Sequence, residues 1–227
     1  MKNRMFSICV AIALFALAVS ACCGAVTDNF DRANNTVLGT TQDAGAYVWG
    51  KNAVQIDTGA RIENNQLFVD GSAMGGGVYL NGYQPGDFDL TVDMSLVTGY
   101  WAGIEYRGSL PGFIGPGYVV YVTPTGQLDL WNSWQGVIGT AATGLNWANA
   151  QTLRIKAVGF HHQVWVNDVV KIDAMNNATQ AGGYIGFLAM ESDARFDNLS
   201  VTPVPEPCSI LALTLGLGAM VARKRRK

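Results

Sequence analysis

The sequence is poor in the residue types that mark a soluble enzyme with a reactive centre. Of its four cysteines, Cys9, Cys22 and Cys23 lie near the N-terminus and Cys208 near the C-terminus, so none falls between Gly24 and Pro207. That long middle stretch can form no disulfide and carry out no thiolate chemistry, and its stability must come from packing. The only two histidines, His161 and His162, are adjacent, which excludes a histidine-rich metal centre. Charged residues make up only 14% of the 227 residues. Stretches with helical periodicity are few. Zinc-ligand spacings, nucleophilic triads and phosphate-binding glycine loops are missing, and the glycines of "MGGGVY" read as a turn. A glycosidase needs two carboxylates, about 5–5.5 Å apart for retention or roughly 6.5–9.5 Å for inversion. The middle stretch contains only Glu63, Glu105 and Glu191, none with a carboxylate at i+2. Asp87 and Asp89 would share one strand face, where solvation explains them without catalysis.

What charge there is lies unevenly. Lys2 and Arg4 open the chain, and Arg223, Lys224, Arg225, Arg226 and Lys227 close it. Setting these aside, with Glu206, leaves eight basic against sixteen acidic residues, a body of about −8 in a chain of formal charge −2. A body so acidic repels phosphate backbones, which argues against nucleic acid as a partner.

The two ends read as addresses. Met1 to Arg4 is cationic, Met5 to Val19 is apolar, and "SACCGAV" supplies the small residues of a signal-peptidase site, so 1–25 reads as a secretory signal peptide. "VSAC" also fits a lipobox, which would make Cys22 a lipidated N-terminus. At the other end, Cys208 to Ala222 carries no charge. As a helix it would span roughly 22 Å, short of the ~30 Å hydrocarbon core, and the basic cluster would stay on the cytoplasmic side. Pro205-Glu206-Pro207, this apolar run and the basic stop at 223–227 together resemble the PEP-CTERM sorting signal of Gram-negative bacteria, here over 203–227. The resemblance implies an exosortase as partner alongside the secretion machinery. It also implies a transient stay in the inner membrane through a transmembrane helix at 208–222, then release to the cell surface or an exopolysaccharide biofilm matrix.

Between the ends, residues 26–202 alternate with period two, broken by Gly, Asn, Asp and Pro turns. "DFDLTVDMSLV" places Phe88, Leu90, Val92, Met94 and Leu96 on one face, and "QTLRIKAVG" turns Leu153, Ile155 and Ala157 inward. "HHQVWVNDVVKID" reads as two strands around a turn at Asn167-Asp168. Further strands are expected at Gln66–Asp70, Gly77–Leu80, Ala102–Arg107, Tyr118–Val122, Gln127–Trp131, Gly183–Met190 and Arg195–Val201. This is an all-β pattern and predicts an antiparallel β-sandwich. The order of "DNFDRANNTVLG", "ARIENNQLFV", "AGIEYRG", "GQLDLW", "QTLRIKAVGFHHQVWVNDVV", "GGYIGF" and "ARFDNLSV" resembles the concanavalin A-like/LamG-type jelly roll. Within that group it is similar to the 3-keto-disaccharide hydrolase-type domains. The resemblance implies pairing of the first and last strands, "DNFDR" beside "RFDNLSV".

Three chemistries are open to such a sandwich. Carbohydrate binding needs aromatic rings on a polar face, since sugar C–H faces stack on them. Trp131 shares a strand face with Gln127 and Asp129, and Trp165 shares one with His161 and Gln163. If their strands neighbour one another, Trp131, Trp165, Asp129, Gln163, Glu105 and Arg107 would form one glycan-binding surface. Glu105 and Arg107 also fit a structural ion pair. No cofactor is required, but the resemblance brings calcium into view, with Asp28, Asp31 and Asp197 converging where the terminal strands pair. The sequence favours a non-catalytic module that binds extracellular polysaccharide or serves a structural role in the matrix; the alternative is a glycoside hydrolase.

Overall fold

The computed structural model describes residues 24–51, 59–71, 75–109, 116–176 and 182–205. The signal segment with Cys22, residues Glu206 and Pro207 of the sorting motif, the apolar run and the basic stop lie outside the described residues.

Thirteen strands are present and no helix among the described residues: β1 (Val26–Asp28), β2 (Val48–Lys51), β3 (Arg61–Glu63), β4 (Gln66–Asp70), β5 (Gly76–Asn81), β6 (Phe88–Gly108), β7 (Tyr118–Val122), β8 (Gln127–Asn132), β9 (Gly136–Ala142), β10 (Gln151–Val158), β11 (His161–Val166), β12 (Val169–Met175) and β13 (Tyr184–Pro203). All strand pairings are antiparallel. The expected jelly roll is the fold.

Two long strands build both layers. β6 and β13 pair along nearly their whole length, from Tyr184 opposite Gly108 to Pro203 opposite Phe88. The first half of β6 carries β10, β11 and β12 on its other side, while its second half carries β7, β8 and β9. Beyond β13 lie β1, β4 and β3 in the first layer, and β5 and β2 in the second. The sequence reading of two separate strands around 97–102 is therefore corrected: β6 is continuous and bends. Gly99 makes the bend possible. It has φ +97 and lies opposite Ser192, where a Cβ would come within 2.0 Å of the Glu191 carbonyl oxygen. The ladder slips beside it, between Asp193 and Ala194.

Alternation decides which side chains meet between the layers. Phe88, Leu90, Val92 and Met94 face Ile104, Tyr106, Tyr118, Val120, Leu128 and Leu130, all buried in one cluster with Leu153, Ile155 and Ala157. Phe187 and Phe196, on the two halves of β13, stack at 4.3 Å. Two hairpins turn in two residues with positive φ throughout, Asn64-Asn65 and Asn167-Asp168, as a type I′ turn requires. The glycine run of "MGGGVY" is only partly a turn: Gly75 has φ +110, and from Gly76 onward the chain is strand β5.

Leu90, Val92 and Ile155 have no solvent exposure. Truncating any of them to Ala is expected to cost about 2–4 kcal/mol. Chemical denaturation followed by tryptophan fluorescence measures the loss; a cost under about 1 kcal/mol at all three would contradict this packing.

Candidate functional site

The alternate residues of the second layer point away from the core. On β6 these are Trp101, Gly103, Glu105 and Arg107; on β7 they are Val119 and Tyr121; on β8 they are Gln127, Asp129 and Trp131. The register sets Glu105 opposite Val119 and Val119 opposite Trp131, and one pair further along sets Gly103 opposite Tyr121 and Tyr121 opposite Asp129. Trp101, Val119, Tyr121 and Trp131 line an open depression of about 150 Å³. The rings of Trp101 and Tyr121 lie 5.0 Å apart at 41°. Gly103 keeps this floor close, because a Cβ there would strike the Val120 carbonyl oxygen at 2.1 Å.

The polar groups of this face are tightly held. Both carboxylate oxygens of Asp129 accept from Gln127 Nε2, at 3.1 and 2.9 Å. Burial pushes the Tyr121 phenol up to about 12, with the charge of Asp129 and a hydrogen bond to it adding to the shift. Glu105 has no solvent exposure, and its carboxylate lies beneath the backbone of Gly108.

Of the expected glycan-binding residues, Trp131, Asp129 and Glu105 do share this face. Arg107 belongs to it only by position. Its φ is +50, and its guanidinium binds Asp87 Oδ1 at 2.9 Å, the Gly159 carbonyl at 2.7 Å and the Gly86 carbonyl at 3.2 Å. Arg107 forms an ion pair with Asp87, which is mostly buried rather than solvated. Trp165 and Gln163 are on the other layer. β8 and β11 never neighbour each other, so the single surface with two indoles does not form. Trp165 instead stacks under Arg154, whose guanidinium carbon sits 4.8 Å from the ring centre and which also grips Asp89 with two bonds. Gln163 donates to Asp173, as does the His161 ring. Sequence reasoning missed Trp101, Val119 and Tyr121. The alternation in "YVVYV" would have shown that Val119 and Tyr121 face away from the core.

The expected calcium ligands do not converge, although β1 pairs with β13 as anticipated. The carboxylate of Asp28 is consumed. Oδ1 accepts from the Phe30 N–H and Arg32, and Oδ2 accepts from Arg32 and, at 2.7 Å, from Trp49 Nε1. Asp31 is exposed, and Asp197 pairs opposite Asp93 of β6, just before a register shift between Asp197 and Ser200. Among the described residues no group of three or more His, Cys, Asp or Glu side chains is placed to hold a metal ion.

Neither histidine serves this face. His162 is fully buried between the layers, its Nδ1 2.9 Å from the Tyr106 hydroxyl and its ring 4.3 Å from that of Tyr118. Burial, helped by the charge of Arg107, pulls its pKa down to about 4 from 6.5.

Residues 31–202 match the model of the 3-keto-alpha-glucoside-1,2-lyase-like domain. No curated protein matches the chain in sequence. Among solved structures, the fold is similar to a Bacillus licheniformis β-glucanase (TM-score 0.60, 12% identity, 80% of this chain and 99% of that one). It is also similar to the Bacillus subtilis carbohydrate-binding module CBM66 (TM-score 0.53, 16% identity, 69% and 91%). A third, a Bacillus subtilis protein with a galectin-like fold, has a TM-score of 0.55, 10% identity and coverage of 77% and 96%.

The buried His162 gives the fold a pH dependence. The folded state keeps the imidazole neutral, whereas the unfolded chain takes up a proton near pH 6.5. Its stabilising share is therefore complete above that value and is lost as pH falls from about 6.5 to about 4, by up to about 1.4 kcal/mol per pH unit. His162→Gln removes the titrating ring. The stability gap between wild type and variant, from urea denaturation, is expected to narrow by about 2 kcal/mol between pH 7.5 and 4.5. An unchanged gap would remove His162 from this role.

Proposed function

The chain belongs to the 3-keto-alpha-glucoside-1,2-lyase-like domain family, and from that premise we propose that its body is a carbohydrate-binding module for uncharged extracellular polysaccharide. The single observation that carries this reading is the depression floored by Trp101, Val119, Tyr121 and Trp131. Half-buried flat rings on one sheet face offer stacking surface to the C–H faces of a sugar. No cationic side chain lines the depression, and the nearby Asp129 carries the same sign as a uronate, so a neutral glycan fits and an acidic one is repelled. CBM66 and the β-glucanase support the reading at the level of fold alone.

Binding is favoured over hydrolysis because neither carboxylate of this face stands open to a bound sugar. Glu105 is 0% and Asp129 3% exposed, and both oxygens of Asp129 are taken by Gln127. The ends of the chain extend the proposal: the protein is exported, held in the inner membrane by residues 208–222, and passed by an exosortase to the cell surface or matrix. What supports this is the order of Pro205-Glu206-Pro207, the uncharged run and the five terminal basic residues.

Trp131→Ala and Trp101→Ala are each expected to weaken binding to a neutral glucan about 2- to 12-fold, the worth of about 0.5–1.5 kcal/mol of stacking per ring. Trp165→Ala, on the other layer, should leave it unchanged. A glycan array with neutral and uronate polymers, followed by calorimetry, reads this. Equal losses from all three variants, or a preference for uronates, would refute the site. Reducing-sugar release that Glu105→Gln abolishes would make the protein an enzyme. For sorting, the intact mass of the mature protein from its native host should lack both Met1 and residues 223–227; recovery of both ends would defeat that part.

A further inference from the structure

One pole of the sandwich gathers the place where the chain leaves the body and three large exposed apolar side chains. Arg107, near the end of β6, binds Asp87, just before its start, so the same pole closes both layers. The Val204 N–H donates to the Asp87 carbonyl at 2.9 Å, and the Gly159 N–H donates to Asp87 Oδ1 at 2.8 Å. Phe160 follows Gly159 and accepts from the Asn176 N–H at 2.8 Å; the Asn176 amide in turn donates to Gln135 Oε1 at 2.5 Å. Phe160, Met175 and Trp134 stand on these turns with 54%, 72% and 56% of their surfaces exposed. Each lies within a residue of a bond that ties the pole together. We propose that this pole is a membrane-contact surface, with Phe160, Met175 and Trp134 seated in the headgroup–acyl boundary of a phospholipid bilayer.

The tether makes the bilayer the occupant. Among the described residues Val204 is the last one hydrogen-bonded to the body, Pro205 follows it, and the uncharged run begins at Cys208. From Pro205 to Cys208 the chain can span at most about 11 Å. The headgroup layer on one side of a bilayer is itself several ångströms thick, about 5–8 Å. If residues 208–222 enter the bilayer, as the sorting reading supposes, the exit pole has little room to stand off from it. Proline at 205 and 207 stiffens the connection further. Tryptophan and other large apolar side chains are favourable at that depth. The acidic body gains nothing from anionic lipid, so attraction to the bilayer rests on burial of the apolar side chains. Val169 and Val170, also exposed, open β12 just after the β11–β12 turn, at the far end of β11, and serve as the comparison.

The test uses the full chain reconstituted into phosphatidylcholine vesicles whose acyl chains carry bromine, which quenches tryptophan at membrane depth. Brominated vesicles are expected to quench the protein relative to plain ones. Trp134→Phe should remove at least half of the quenched intensity, while Trp165→Phe leaves it. Phe160→Ser with Met175→Ser should lower the remaining quenching at least twofold, and Val169→Ser should not. Circular dichroism checks that these surface variants stay folded. Flotation with vesicles reads the apolar run by itself. Flotation without quenching, or quenching that Trp134→Phe does not change, overturns the contact while leaving the anchor intact; failure to float overturns both. A dimer that Phe160→Ser dissociates would assign the patch to a second copy and likewise overturn the proposal.

Discussion

The pairing of β6 with β13 is the constraint on which the structure rests. Each strand is long enough to serve both layers, so one ladder fixes the position of every other strand in the body. A slip of one residue along it would turn Leu90, Val92, Ile104 and Phe187 outward and Asp89, Thr91 and Glu105 inward. The bend at Gly99 lets one ladder face itself, and the stack of Phe187 on Phe196 fills the fold so made. The aromatic depression inherits its geometry from this arrangement, since Trp101 comes just after the bend and Tyr121 and Trp131 are placed by pairing outward from β6.

Polar anchors hold the parts that the apolar core cannot reach. Asp28 ties Arg32 and Trp49 to the first strand, and Asp87 ties Arg107 and Gly159 across the two layers. Both carboxylates looked available for function when read as isolated letters. Buried charges of this kind need partners for every lone pair, and here those partners are side chains and backbone groups of the body. Asp28 and Asp87 are therefore structural, and the depression on the second layer is lined by Trp101, Val119, Tyr121 and Trp131 instead.

Much of the fold was legible in the sequence because period-two alternation survives wherever one strand face is buried. β4 and β7 match their expected bounds, and the inward set on β6 and β10 is as read. β2 and β3 are too short to alternate visibly, and β9, "GVIGTAA", hides its strand in glycine and alanine. The candidate site was harder to read. Alternation tells which face of its own strand a side chain takes, but not which layer the strand joins, so the shared surface of Trp131 and Trp165 hung on their strands being neighbours, and β8 and β11 lie in different layers. Arg107 was misread because a positive φ at its own backbone redirects a side chain that strict alternation would have sent outward.

The last strand has a consequence for the order in which the molecule can assemble. β13 pairs with β1, β4, β5 and β6, so the last strand among the described residues is, with β6, one of the two shared by both layers. Until its last residues emerge, the earlier strands can pair among themselves but close no sandwich, and β1 lacks the one strand it pairs with. Contacts so distant in sequence make folding slow and leave it to the end. A nascent chain built this way can form local strand pairs as it is made, but it cannot close its two layers until β13 is available.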